Sequence, residues 1–194
     1  MPEIHGLLLA VLTSFTLLAG ASDAVPPSPP SDGLTEARIV AASRGFAVGE
    51  VHSGRTTYVF FDTESFKSGA LWSVSKPLWP QMRFVWIPVA VIDDRSLAQG
   101  AAILAAQSPS EALSAHENTR ATLHQRQRAA LPVSPLSAPT LAVLGNTALF
   151  RANGHSRVPL TATASPQGLV TASPEVLTTP ELARILGLEY PESP

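Results

Sequence analysis

The chain has 194 residues, 45% of them hydrophobic and 14% charged, with a net charge of −2. That is enough apolar material for one core of ordinary size, and so small a net charge gives no reason to expect a nucleic-acid partner. There is no cysteine, which excludes a disulfide framework, a metal–thiolate site and a lipid-bearing N-terminal cysteine.

Residues 1–24 read as an export signal. Leu7 to Leu18 form an apolar stretch, and small residues follow at Ala19-Gly20-Ala21 and Ser22-Asp23-Ala24. Glu3 and His5 stand where Lys or Arg is usual. The apolar run falls short of the roughly 20 residues that cross a bilayer. Cleavage and release into the bacterial periplasm are therefore expected, with membrane contact only if the signal is retained. Residues 25–33 (VPPSPPSDG) form a proline-rich linker of extended character.

The remaining chain, 34–190, is expected to be a single domain. Leu34, Ala37, Val40 and Ala41 recur at helical spacing, which predicts a helix from Leu34 to Arg44 with Gly45 as its stop. Phe46–Val51 and Thr57–Phe61 read as strands, with His52-Ser53-Gly54-Arg55 as the turn of a hairpin. Ser65–Val74 is predicted helical, ending before Lys76-Pro77 because a residue preceding proline avoids the helical region. Arg83–Ile92 (RFVWIPVAVI) is almost continuously apolar and suits a central strand covered on both faces, with an irregularity at Pro88.

Ser96–Gln107 is predicted as a helix capped by Ser96, and Ser110–Arg126 as another after the Ser108-Pro109 break. Leu131–Pro139 is a second connector, and Leu141–Asn153 a helix with Gly154 just past its end. Val158–Ala164 and Gly168–Ala172 make a hairpin. The last helix starts with Thr179 as cap and Pro180 at its first position, and runs to about Leu188. This order predicts the α/β class, a mixed central sheet with helices on both faces.

Three segments resemble the thioredoxin-fold domain of the periplasmic disulfide isomerases DsbC and DsbG. YVFFDTESFKSGALW (58–72) is similar to that family's strand, aspartate, C-P-x-C motif and following helix, with Ser65 and Ser68 at the two cysteine positions. RFVWIPVAVIDDRSLAQGAAILAAQSPSEAL (83–113) resembles its strand, Ser/Pro turn and alanine-rich helix. NTALFRANGHSRVPLTATASPQGLV (146–170) resembles its helix, glycine turn and cis-proline. The likeness covers roughly residues 35–188 and implies a thioredoxin-like fold with Val158-Pro159 as the cis-proline peptide facing the turn. It departs from the family in lacking both thiols and a separate N-terminal dimerisation domain.

Ser65 and Ser68 act as nucleophiles only with a base in hydrogen-bond reach. The histidines at 5, 52, 116, 124 and 155 form no motif with them, although His155 lies near Pro159 in sequence. Ser65 reads instead as a helix N-cap, Asp62 equally as a hydrogen-bond partner of the turn or as a turn former, and Lys67 as a solvated side chain. Trp72, Trp79, Trp86, Phe60, Phe61 and Phe84 read as core. Asp93-Asp94 is a turn rather than a metal site. No cofactor or metal is expected and no catalytic residue is assigned.

The resemblance implies peptide contacts at Val158, Pro159, Phe66 and Lys67. The expected function is therefore protein binding without redox chemistry: holding partly folded envelope proteins, or serving a dedicated partner. The alternatives are thiol–disulfide interchange using a partner's thiols, or membership of a conjugative-transfer or secretion apparatus.

Overall fold

In the computed structural model, the described residues are 33–50, 54–122, 136–165, 168–172 and 178–190. The export signal, nearly all of the proline-rich linker, His5, His52 and His124 lie outside them. The elements run α1 (Gly33–Ala42), β1 (Phe46–Gly49), β2 (Thr56–Phe61), α2 (Phe66–Ser75), β3 (Arg83–Pro88), α3 (Asp94–Ala105), α4 (Pro109–Thr122), α5 (Ala138–Ala152), β4 (Leu160–Ser165), β5 (Gly168–Ala172) and α6 (Thr179–Leu186). A short 3₁₀ turn, Lys76–Leu78, follows α2 and absorbs Pro77 near its start.

The five strands form one mixed sheet in the order β1-β3-β2-β4-β5. β3 pairs in parallel with β2 (Thr56 opposite Arg83, Phe61 opposite Pro88), while the other three pairings are antiparallel. The hairpin expected between the first two strands is therefore not formed. β3 lies between them, because its apolar residues on both sides suit an interior position. The chain leaves β1 at Gly49, whose φ of +89° and close approach to the Met82 and Trp79 carbonyls only glycine accommodates.

Alternation along β2 and β3 divides the core between two faces. Val59, Phe61, Phe84 and Trp86 join Leu71 and Trp72 of α2, Leu113 of α4 and Leu182 of α6 on one side. Phe60 and Ile87 join Ile39 of α1 and Phe150 of α5 on the other. Trp72 and Trp86 meet edge to face with centroids 4.9 Å apart, and Phe61 and Trp86 at 5.6 Å, a geometry worth about 0.5–1.5 kcal/mol beyond burial. The aromatic residues read as core are core, with Trp79 tilted against Trp72 at 5.1 Å.

Several boundaries differ from expectation for physical reasons. β3 stops at Pro88 and not Ile92, opposite Phe61 where its partner β2 also ends. Val89 N still reaches Phe61 O, and the amides after it turn to the side chains of Thr147 and Asp62. Asp93, not Ser96, caps α3, accepting from Arg95 N and Ser96 N, while Ser96 supplies the return bond of the capping box. α5 starts earlier than expected, at Ala138, because Ser137 accepts from Thr140 N and caps it. The final helix is capped one residue earlier, at Thr178, whose amide donates to Glu181 at 2.8 Å. β4 begins at Leu160, and α4 is described to Thr122.

Asn146 of α5 ties the α1–β1 connection to the end of β3. Its amide donates to Arg44 O at 2.7 Å and Pro88 O at 2.9 Å, and its oxygen accepts from Arg44 N at 2.8 Å. It is buried. Asn146→Ala leaves these backbone groups without partners, and about 3 kcal/mol of stability should be lost; a urea titration followed by tryptophan fluorescence measures it. A loss under about 1 kcal/mol would mean that the three bonds are replaced by other partners.

Candidate functional site

The site is built where three connections converge at the C-terminal end of β2. The first is the turn Asp62-Thr63-Glu64-Ser65 leading into α2. The second is the segment after β3. The third is the approach to β4, where antiparallel register sets Phe60 opposite Leu160, and so carries Pro159 toward Phe61 and Val158 toward Asp62.

Asp62 holds the first two together. Its carboxylate is fully buried; one oxygen accepts from Glu64 N at 2.8 Å and the other from Val91 N at 2.8 Å and Ile92 N at 3.0 Å. Val89 N donates to Phe61 O at 2.8 Å in continuation of the sheet. Arg95 adds an outer tie, reaching Glu64 at 3.2 Å and Asp93 at 2.6 Å. Asp62 is thus more than a local turn former.

Ser65 has extended backbone (φ −85°, ψ 117°) and caps α2, its hydroxyl accepting from Ser68 N at 3.1 Å. The Ser68 hydroxyl accepts a longer bond from Asp62 N, 3.4 Å. Both serines are buried, and among the described residues neither hydroxyl meets an imidazole or a carboxylate. A buried hydroxyl that accepts from the backbone and has no base is a structural group, not a nucleophile.

The remaining residues singled out in the sequence separate in space. Phe66, the first residue of α2, is 62% exposed. Lys67 is also exposed. Val158–Pro159 is a cis peptide, with Pro159 buried and Val158 half-buried against the α5 side of the core. Among the described residues no hydrogen bond engages the Val158 amide or carbonyl. His155 does not approach the serine turn; its ring lies against Phe150, with centroids 5.3 Å apart.

Sequence reasoning missed the contribution of α4. His116 Nε2 meets Thr63 O at 3.0 Å, which fits the proton on Nε2. Trp72 Nε1 donates to Ser114 Oγ at 3.3 Å. Arg120 donates through Nε and Nη2 to Glu117 at 2.9 and 2.6 Å, and lies over the Phe66 ring, 4.5 Å from its centroid. The signal was present in the spacing of Leu113, His116, Glu117 and Arg120, which is one helical face.

The Asp93 carboxyl is held below its ordinary value, first by the Arg95 guanidinium and then by backbone amides, against the opposing effect of burial. A depressed folded-state pKa contributes stability above the unfolded value, and this is lost as pH falls through the folded one. Asp93→Asn keeps a capping side chain but removes the charge, and should therefore cost about 0.5 kcal/mol at neutral pH. The difference from the parent protein should shrink as pH falls below about 3.8, the ordinary value. Thermal melts at stepped pH measure it; a difference independent of pH would remove the charge from the explanation.

No family model and no curated protein matches this chain. Solved structures do. The thiol–disulfide exchange protein α-DsbA2 from Wolbachia pipientis is similar at 11% identity and TM-score 0.56, over 80% of this chain and 96% of that one. The catalytic domain of Proteus mirabilis ScsC gives 14% and 0.56, over 80% and 96%. A periplasmic thioredoxin-like protein from Salmonella enterica serovar Typhimurium gives 15% and 0.51, over 79% and 94%. At such identities the likeness establishes the fold: the chain is a thioredoxin-like α/β domain with a mixed central sheet.

Proposed function

We propose that this protein is an exported, redox-inactive relative of the DsbC/DsbG-type thiol–disulfide proteins that works by binding extended segments of partly folded envelope proteins. The observation that carries this reading is the pairing of an unengaged Val158 backbone, at a cis peptide, with a turn whose two hydroxyls are committed to the backbone. An extended peptide can pair with such an unengaged backbone segment by main-chain hydrogen bonds, and nearby side chains then set preference. Phe66 and Lys67 supply an exposed ring and an exposed cation at the start of α2. A periplasmic location accords with the export signal read in residues 1–24 and with the location of the Salmonella neighbour.

Thiol chemistry is outside the reach of this chain, which has no cysteine. A serine hydroxyl at the N-terminus of α2 stays protonated at neutral pH, whereas a thiol there is pushed toward the nucleophilic thiolate. The arrangement thus retains a peptide-facing turn without the group that would attack a disulfide.

The test is suppression of aggregation of a reduced, unfolded client by the purified protein. Suppression is expected, with Phe66→Ser weakening it about tenfold if the ring anchors the client. Val158→Pro, which removes the pairing N–H, should abolish it in protein shown by circular dichroism to be folded. No suppression at equimolar protein would overturn the holding role. In parallel, Ser65→Cys/Ser68→Cys should confer insulin reduction that the parent protein lacks. A folded double variant with no such activity would show that the turn lacks the geometry of a dithiol site.

A further inference from the structure

Beside the serine turn, α2 and α4 enclose an open cavity of about 230 Å³ whose walls include Phe66, Gly69, Ala70, Glu117, Asn118 and Arg120. Arg120 dominates its chemistry. The side chain is only 6% exposed. Nε and Nη2 converge on a single Glu117 oxygen, while Nη1 is buried and meets no acceptor among the described residues. A guanidinium donor in that state is costly unless a further acceptor is supplied.

The surroundings are shaped around this group. A Cβ at Gly69 would collide with Arg120 Nη2 and Glu117 Oε2, so the glycine is what lets the ion pair lie against α2. One face of the guanidinium is covered by Phe66, whose exposed ring is free of core packing on its other side. Nη1 belongs to the same guanidinium that lines the cavity.

Charge decides which oxygen fits. Glu117 already balances Arg120, so an added carboxylate would sit beside a second carboxylate, where like charges repel. A neutral carbonyl completes Nη1 without that repulsion. An amide also brings N–H groups toward the oxygens of Glu117 and Asn118, and its short methylene stem suits the floor of Phe66, Gly69 and Ala70.

We propose that this cavity is a subsite for a neutral amide side chain, glutamine or asparagine, on a bound polypeptide. Its biological meaning rests on the peptide-holding role above, but the subsite is testable apart from it. The probe is butyramide, compared with butyrate as its charged counterpart. The readouts are the Arg120 Nε–Hε signal and the Phe66 ring protons by NMR.

Butyramide should produce a saturable shift of both signals, and butyrate should bind about tenfold more weakly or not at all. Ala70→Leu, which fills the floor and touches neither charge, should abolish the response. Arg120→Lys keeps the charge but removes the second donor, and should weaken binding about tenfold. If Arg120→Lys fails to fold, Ala70→Leu decides the matter. No saturable shift, equal binding of butyrate, or full binding in Ala70→Leu would overturn the proposal. Amide binding without aggregation suppression would keep the subsite and sink the holding role; suppression without an amide response would do the reverse.

Discussion

The buried carboxylate of Asp62 is the interaction on which the site depends. It stands at the end of β2 and accepts three backbone amides, one from its own turn and two from the segment that follows β3. Charge-assisted bonds of this kind are stronger than neutral ones, and their acceptor here is wholly out of water. The end of β3 at Pro88 makes them necessary. Once the ladder ends, the amides of residues 91 and 92 need acceptors that the sheet no longer supplies, and Asp62 is placed to provide them. A single side chain thereby fixes the direction of the α2 entry and the path into α3 together.

With the turn fixed in this way, the two serines have little left to do chemically. Ser65 stops the first turn of α2 from fraying by accepting from Ser68 N, and the Ser68 hydroxyl faces back to Asp62 N. A thiol in either place would be a poorer acceptor and a far better nucleophile. Serine reverses that balance. It strengthens the local hydrogen bonding that shapes the turn, and it removes the reaction that such a turn can support when thiols are present. The hydrogen bonding that shapes such a turn and the thiol chemistry it can support are therefore separable.

Much of this was legible in the sequence because it is local. The apolar runs at Thr57–Phe61 and from Arg83 located the two central strands, and the glycine after Asn153 located the end of α5. Ser65 as a cap followed from its place before an apolar helical stretch. What local pattern does not carry is strand order. The short link around Gly54 looked like a hairpin turn, yet β3 separates β1 from β2, a choice made by burial of both faces of β3 and not by the turn. The cap of α3 was misplaced for a related reason: Ser96 and Asp93 are both capping residue types, and only the tie to Arg95 and the capping box show which one begins the helix.

The part of the site contributed by α4 was the least legible, and the reason lies in how long-range packing selects residues. In sequence, Glu117 and Arg120 offer only an i, i+3 spacing, and exposed pairs at that spacing contribute little. Burial changes their meaning. Pressed against the bare backbone at Gly69 and under the ring of Phe66, the pair occupies volume that side chains of α2 would otherwise fill. Breaking it would leave one charge buried and uncompensated, a loss of about 3–5 kcal/mol. Hydrophobic residues of the same volume would hold the two helices together as well, and without a donor left over. Stability alone therefore does not account for an arginine with an unused N–H at this point; the proposed amide subsite would supply its acceptor.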